Sequence, residues 1–118
     1  MRISTVASGS SGNCIYVGSD NTHLLVDAGI SKKRTETGLN ANDIDMKDIS
    51  GILITHEHIY HINGLGVISR KYEIPIYATP KTVEAIKSNN KLGYIPEDLY
   101  VEIKSDEHFN IGDIEVCP

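Results

Sequence analysis

The chain has 118 residues, 40% of them hydrophobic and 23% charged, and 11 Lys+Arg against 16 Asp+Glu leave a formal charge of -5 with histidine neutral. Such proportions describe one soluble globular domain, and the acidic balance opposes broad attraction to phosphate backbones or anionic lipid while leaving a local cation site open. The longest apolar run falls far short of the roughly 20 residues that span a bilayer, and the first six residues lack the basic-then-apolar layout of a secretory signal. A single cytoplasmic domain over residues 1–118, with no membrane partner, is therefore expected.

Arg2–Ala7 reads as a strand, residues 8–13 (SGSSGN) as a loop, and Cys14–Gly18 as a second strand with β-branched and aromatic members. After a turn at residues 19–22, residues 23–27 (HLLVD) form a third strand, whose unbroken apolar middle predicts burial on both faces. From Ser31 the composition turns polar and helix-compatible, with Ser31 as N-cap and Gly38 near the stop. Residues 51–54 (GILI) are the next buried strand and run straight into residues 55–61. Beyond Asn63, the spacing of Leu65, Ile68 and Tyr72 gives one helix face. Residues 75–78 (PIYA) are again a strand, and Thr79-Pro80 open a helix, with Thr as cap, Pro at the first position, and Val83 and Ile86 facing inward. Residues 100–103 and 108–117 complete the strands, the latter turned at Gly112-Asp113. Strands that come first and then alternate with helices indicate an α/β sandwich rather than an all-β fold or a helical bundle.

The most informative segment is Thr55-His56-Glu57-His58-Ile59-Tyr60-His61, which holds three of the chain's 5 histidines. An extended strand end places His56 and His58 on one face, about 6.5 Å apart along the backbone, so that their imidazoles can converge on one ion. Neutral imidazole suits zinc and also serves iron, nickel and copper. His61, three residues on, reaches the same ion or one beside it. The cluster follows a buried strand, and ligands of α/β sheets gather outside the carboxyl ends of strands. The competing readings are a solvated, histidine-rich loop and acid/base histidines without metal.

Other candidates carry less chemistry. Cys14 and Cys117 form no metal or redox spacing and read as reduced, mostly buried thiols. The SGSSGN loop lacks the Lys-Ser/Thr of a phosphate-binding loop, and Ser10 or Ser11 has no partner pattern as a nucleophile. Glu57 points away from its neighbouring histidines, and Lys32-Lys33-Arg34 reads as a solvated helix face.

The frame at residues 55–61 resembles the T-H-x-H-x-D-H motif of the metallo-β-lactamase-fold hydrolases. The first strand, the SGSSGN loop, the HLLVDAGI strand reaching Asp27 and the IPIYATP strand extend that resemblance along all 118 residues. Together they are similar to the bacterial branch associated with the Wal two-component operon, regarded as metal-dependent nucleases or phosphodiesterases. The resemblance implies an αββα sandwich, here its N-terminal half, a mixed sheet with flanking helices. It also implies one or two zinc ions at the sheet edge, with His56 and His58 on the first metal and His61 on the second. Asp27 resembles the family's supporting carboxylate, orienting ligands, and the substrate would be nucleic acid or another phosphodiester. The motif's aspartate position is Tyr60, a phenol with an ordinary pKa near 10. The second metal is thus expected to bind weakly, with Tyr60 either ligating as a phenolate or reducing turnover.

The family's later ligands have no counterpart in the 118 residues, and His23 and His108 read as ordinary core or surface histidines. A half sandwich exposes an apolar sheet face, which predicts a homodimer in which each copy completes the other, with Cys117 near the interface. The alternative is a non-catalytic truncated domain of the same fold that dimerises and binds metal weakly. A third class is a nucleic-acid-binding module without turnover.

Overall fold

Short, β-branched runs separated by tight turns form hairpins, whereas parallel neighbours need a crossover connection. The computed structural model, which describes residues 1–9, 12–56 and 58–118 with the Tyr60 side chain excepted, follows this division. Strands β1 (Arg2–Ala7), β2 (Cys14–Gly18) and β3 (His23–Val26) follow one another closely in the sequence and pair antiparallel. Strands β4 (Ile49–Leu53), β5 (Ile76–Ala78) and β6 (Tyr100–Glu102) then add in parallel, giving one mixed sheet in the order β1-β2-β3-β4-β5-β6. The crossovers carry α1 (Lys32–Asn40), the one-turn α2 (Ile59–Ile62) with α3 (Leu65–Tyr72), and α4 (Pro80–Lys87). A separate antiparallel hairpin, β7 (Phe109–Ile111) and β8 (Ile114–Val116), turns at Gly112-Asp113 as expected.

Alternation along the strands divides the core into two. Leu25, Ile52 and Ile76 pack with Leu39, Leu65, Ile68, Val83 and Ile86 from the helices. The opposite face presents Leu24, Leu53 and Tyr77 to Phe109, Ile111, Ile114 and Val116 of the hairpin. Leu24 and Leu25 are both buried, as the unbroken apolar run of β3 predicts. The hairpin therefore forms a further β layer over a sheet whose other face is covered by helices.

The two expected helix caps are in place: the Ser31 side chain accepts from the Arg34 N–H and that of Thr79 from the Thr82 N–H. Gly38 lies near the stop of α1 as expected, two residues before its last residue, Asn40. A Cβ there would meet Val6 Cγ1 at 2.6 Å, so this glycine lets α1 close on β1. Cys14 is buried as expected, but Cys117 is exposed, because it follows β8 on the outward-facing side of the hairpin. Among the described residues, no helix is long and apolar enough to cross a membrane.

Candidate functional site

Strands β3 and β4 run side by side with Val26 opposite Leu53, so both chains leave the sheet at the same edge. The Asp27 N–H donates to the Leu53 carbonyl at 2.7 Å, carrying the ladder one residue past β3. Asp27 then turns the chain with a φ of 65°, a left-handed conformation that aspartate tolerates better than most residues. This shortens the expected strand 23–27 by one residue.

The turn aims a buried carboxylate across the sheet edge. Asp27 Oδ1 accepts from the Thr55 N–H at 2.8 Å, and Oδ2 accepts from Thr55 Oγ1 at 2.7 Å and from His61 Nδ1 at 2.7 Å. Asp27 is only 5% exposed, so these donors replace the water it has lost. An ionised carboxylate can only accept, so the Nδ1 atom of His61 carries a proton, and in the neutral ring that tautomer leaves the lone pair on Nε2. Metal-ligating histidines commonly donate their other ring N–H to a carboxylate in this way.

Backbone contacts fix His61 further. Its carbonyl accepts from the Ala28 N–H and its N–H donates to the His58 carbonyl, each at 2.8 Å. The His56 ring stacks beside that of His61, with centroids 5.2 Å apart and planes 24° from parallel. His56 and His58 are both exposed. Neither sits on an extended strand end, as the sequence suggested: β4 stops at Leu53, and Asp27 draws the Thr55 backbone and hydroxyl out of the ladder into a loop.

Asp27, His61 and His56 are thus brought together, with Thr55 as a clamp that no local sequence signal marks. Among the described residues, the group of three whose ligand atoms all lie within 4.8 Å of one another is His108, Glu115 and Cys117. The Tyr60 side chain, Glu57, Ser10 and Ser11 lie outside the described residues. Burial and the charge of Asp27 push the Cys14 thiol up to about 12, which keeps it protonated. His23 engages the Tyr16 hydroxyl at 2.5 Å, and Lys32 pairs with Glu36 at 3.1 Å, so both serve local packing and surface pairing as expected.

The sequence pattern of the family described as Metallo-beta-lactamase superfamily matches residues 7–116. The chain belongs to the metallo-beta-lactamase superfamily. Within it, this superfamily member is 47% identical over 116 residues to Exodeoxyribonuclease YycJ of Bacillus anthracis, covering 98% of this chain and 43% of that protein. It is 38% identical over 115 residues to Exodeoxyribonuclease WalJ of Streptococcus pneumoniae, with the same 98% and 43% coverage. The chain therefore spans less than half the length of these curated relatives and corresponds to their N-terminal part. Among solved structures, the Rm3 metallo-beta-lactamase matches with a TM-score of 0.78 at 21% identity, over 96% of this chain and 46% of that one. That likeness is one of fold, and it bears out the α/β sandwich with a mixed sheet and flanking helices.

Proposed function

We propose that this domain is the histidine-bearing part of a zinc-dependent hydrolase that cleaves phosphodiester bonds in nucleic acid. One observation carries the reading: the Asp27 carboxylate holds His61 Nδ1 at 2.7 Å, with the His61 ring stacked beside that of His56 at the carboxyl edge of β3 and β4. The exodeoxyribonuclease names of relatives at 47% and 38% identity support the substrate class.

Imidazole donors fit zinc, with His56 and His58 holding one ion and His61 a second. Such ions, when bound, activate water and polarise the phosphoryl oxygen under attack. The chain's own part is positional. Asp27 sets the tautomer and direction of His61, Thr55 ties Asp27 to the end of β4, and the stacked rings narrow the space open to His56. With a net charge of -5, the chain has little general pull on a polyanion, so substrate contact belongs at the metal loop. Two cysteines outside any disulfide accord with a cytoplasmic setting.

Tyr60 occupies the motif position where a carboxylate would hold the second ion, so that ion binds weakly. Replacing Tyr60→Asp is expected to raise metal stoichiometry measured by plasma emission, and changing His56→Ala together with His58→Ala to remove the more tightly held ion. Unchanged metal content in both variants would overturn the assignment. The same tyrosine favours a second reading, a domain of this fold that binds metal without turnover. Zinc bound at the loop with no cleavage of a DNA substrate would decide for it.

A further inference from the structure

We propose that the outer face of the β7–β8 hairpin is a second metal site, in which His108, Glu115 and Cys117 bind a zinc-type divalent ion. The site follows from strand register. Phe109 pairs with Val116, Asn110 with Glu115 and Ile111 with Ile114. Continuing that antiparallel ladder by one position sets His108 opposite Cys117. Side chains alternate across the ribbon, so Phe109, Ile111, Ile114 and Val116 pack inward against the sheet while His108, Glu115 and Cys117 share the exposed face.

His108 Nδ1 is within hydrogen-bond reach of Cys117 Sγ and within ion-pair reach of Glu115, and the same distances suit coordination of one ion. His108 Nδ1 lies 3.7 Å from Cys117 Sγ and 3.6 Å from Glu115 Oε2, and all three ligand atoms fall within 4.8 Å of one another. The nitrogen–carboxylate separation is too wide for a hydrogen bond. Tetrahedral zinc, with a bond of about 2.3 Å to sulfur and about 2.0 to 2.1 Å to nitrogen and oxygen, sets sulfur and nitrogen about 3.6 Å apart and nitrogen and oxygen about 3.4 Å apart. Both measured separations are within a few tenths of an ångström of those edges.

The hairpin is also held in place. Ser19 Oγ donates to Asp113 Oδ1 at 2.6 Å and the Asp113 N–H donates to Thr22 Oγ1 at 3.3 Å, so the turn is tied to the β2–β3 connection. A thiolate, an imidazole and a carboxylate together select zinc over magnesium or calcium, which take oxygen ligands, and three protein ligands leave one position for water. Binding forms a metal–sulfur bond and releases the thiol proton to solvent.

Cobalt(II) absorption tests this without relying on the histidine loop. The chain has 2 cysteines, and Cys14 is buried with its thiol held protonated, so a sulfur-to-cobalt charge-transfer band reports Cys117. Cobalt added in excess to the reduced, metal-free chain is expected to produce that band, with an intensity of one sulfur-bound ion per chain. The band should persist in the His56→Ala, His58→Ala double variant and vanish in Cys117→Ser, with His108→Ala and Glu115→Gln each weakening cobalt binding at least about tenfold. Bound zinc should likewise protect Cys117 from alkylation. All three substituted residues are exposed, so circular dichroism unchanged from wild type is expected and checks that each variant folds. No band in the wild-type chain, a band that survives Cys117→Ser, or affinity unmoved by both His108→Ala and Glu115→Gln would each overturn the proposal.

Discussion

Asp27 accepts three hydrogen bonds from a backbone conformation, φ 65°, that glycine, asparagine and aspartate occupy more readily than other residues. Asparagine preserves the turn and the size, but its NH2 group faces donors that need an acceptor. Asp27→Asn is therefore expected to release His61 from its tautomer, lowering metal affinity at the histidine loop about 10- to 100-fold. It should also cost on the order of 2 kcal/mol of stability through the lost charge-assisted bonds. Metal titration beside thermal melting checks this, and wild-type affinity in a folded variant would show that Asp27 does not orient His61. A second carboxylate works by charge at the surface. Glu36 accepts from the Tyr72 hydroxyl and from Lys32 Nζ at 3.1 Å, with Lys71 Nζ at 3.4 Å, and these partners pull its pKa from 4.5 down to about 2. A lowered folded-state pKa means stabilisation that is complete above 4.5 and is lost as pH falls toward about 2. Glu36→Gln should lower the melting temperature at neutral pH and flatten the acid side of the melting curve within that window. An acid limb of unchanged slope would refute the pairing.

At the scale of elements, the junction between α2 and α3 decides where the histidines sit. The Gly64 N–H donates to the Ala28 carbonyl at 2.8 Å, and a Cβ on Gly64 would meet the Ile30 carbonyl oxygen at 1.9 Å. Backbone of the Asp27 turn cannot retreat as a flexible side chain would. Gly64→Ala is thus expected to destabilise the fold by about 1–3 kcal/mol and to weaken metal binding at His61 along with it. Melting and metal titration on the same variant test both, and a wild-type melting temperature would mean that the junction is not so tightly packed. Elements with local signals were legible beforehand, as Ser31, Thr79-Pro80 and the Gly112-Asp113 turn show. The four-residue α2 was not, since one turn of helix has no propensity signal of its own; here His61 within it donates to the His58 carbonyl and accepts from the Ala28 N–H.

At the scale of the whole molecule, the β7–β8 hairpin covers only part of its sheet face. Apolar grooves of about 220 and 260 Å³ flank β8, the first bounded by Val17, Leu24, Val26 and Leu53, the second by Ile54, Tyr77 and Ile103. Met1 and Ile3 beside this face are 81% and 72% exposed. A second copy of the chain seated on this face is the corresponding proposal for assembly, since isologous pairing buries the same apolar surface twice. Sedimentation at micromolar concentration is expected to give twice the chain mass, and Val26→Glu to return it to monomer. A wild-type monomer under those conditions rules the pairing out.

The amino-acid sequence alone determined what is local: the strand runs, the helix caps, the mixed α/β order, and three histidines within one short segment, because period, capping chemistry and spacing are written in neighbouring residues. Tertiary structure decided which of those residues meet. Asp27 and His61 stand 34 positions apart and touch only because β3 and β4 run parallel with Val26 beside Leu53. His108, read from the sequence as an ordinary histidine, and Cys117, read as buried, share one exposed face only through the register of their hairpin. Side chains alternate faces at every residue, so a slip of one position would separate each of these pairs, and pairing register is a property of the folded sheet.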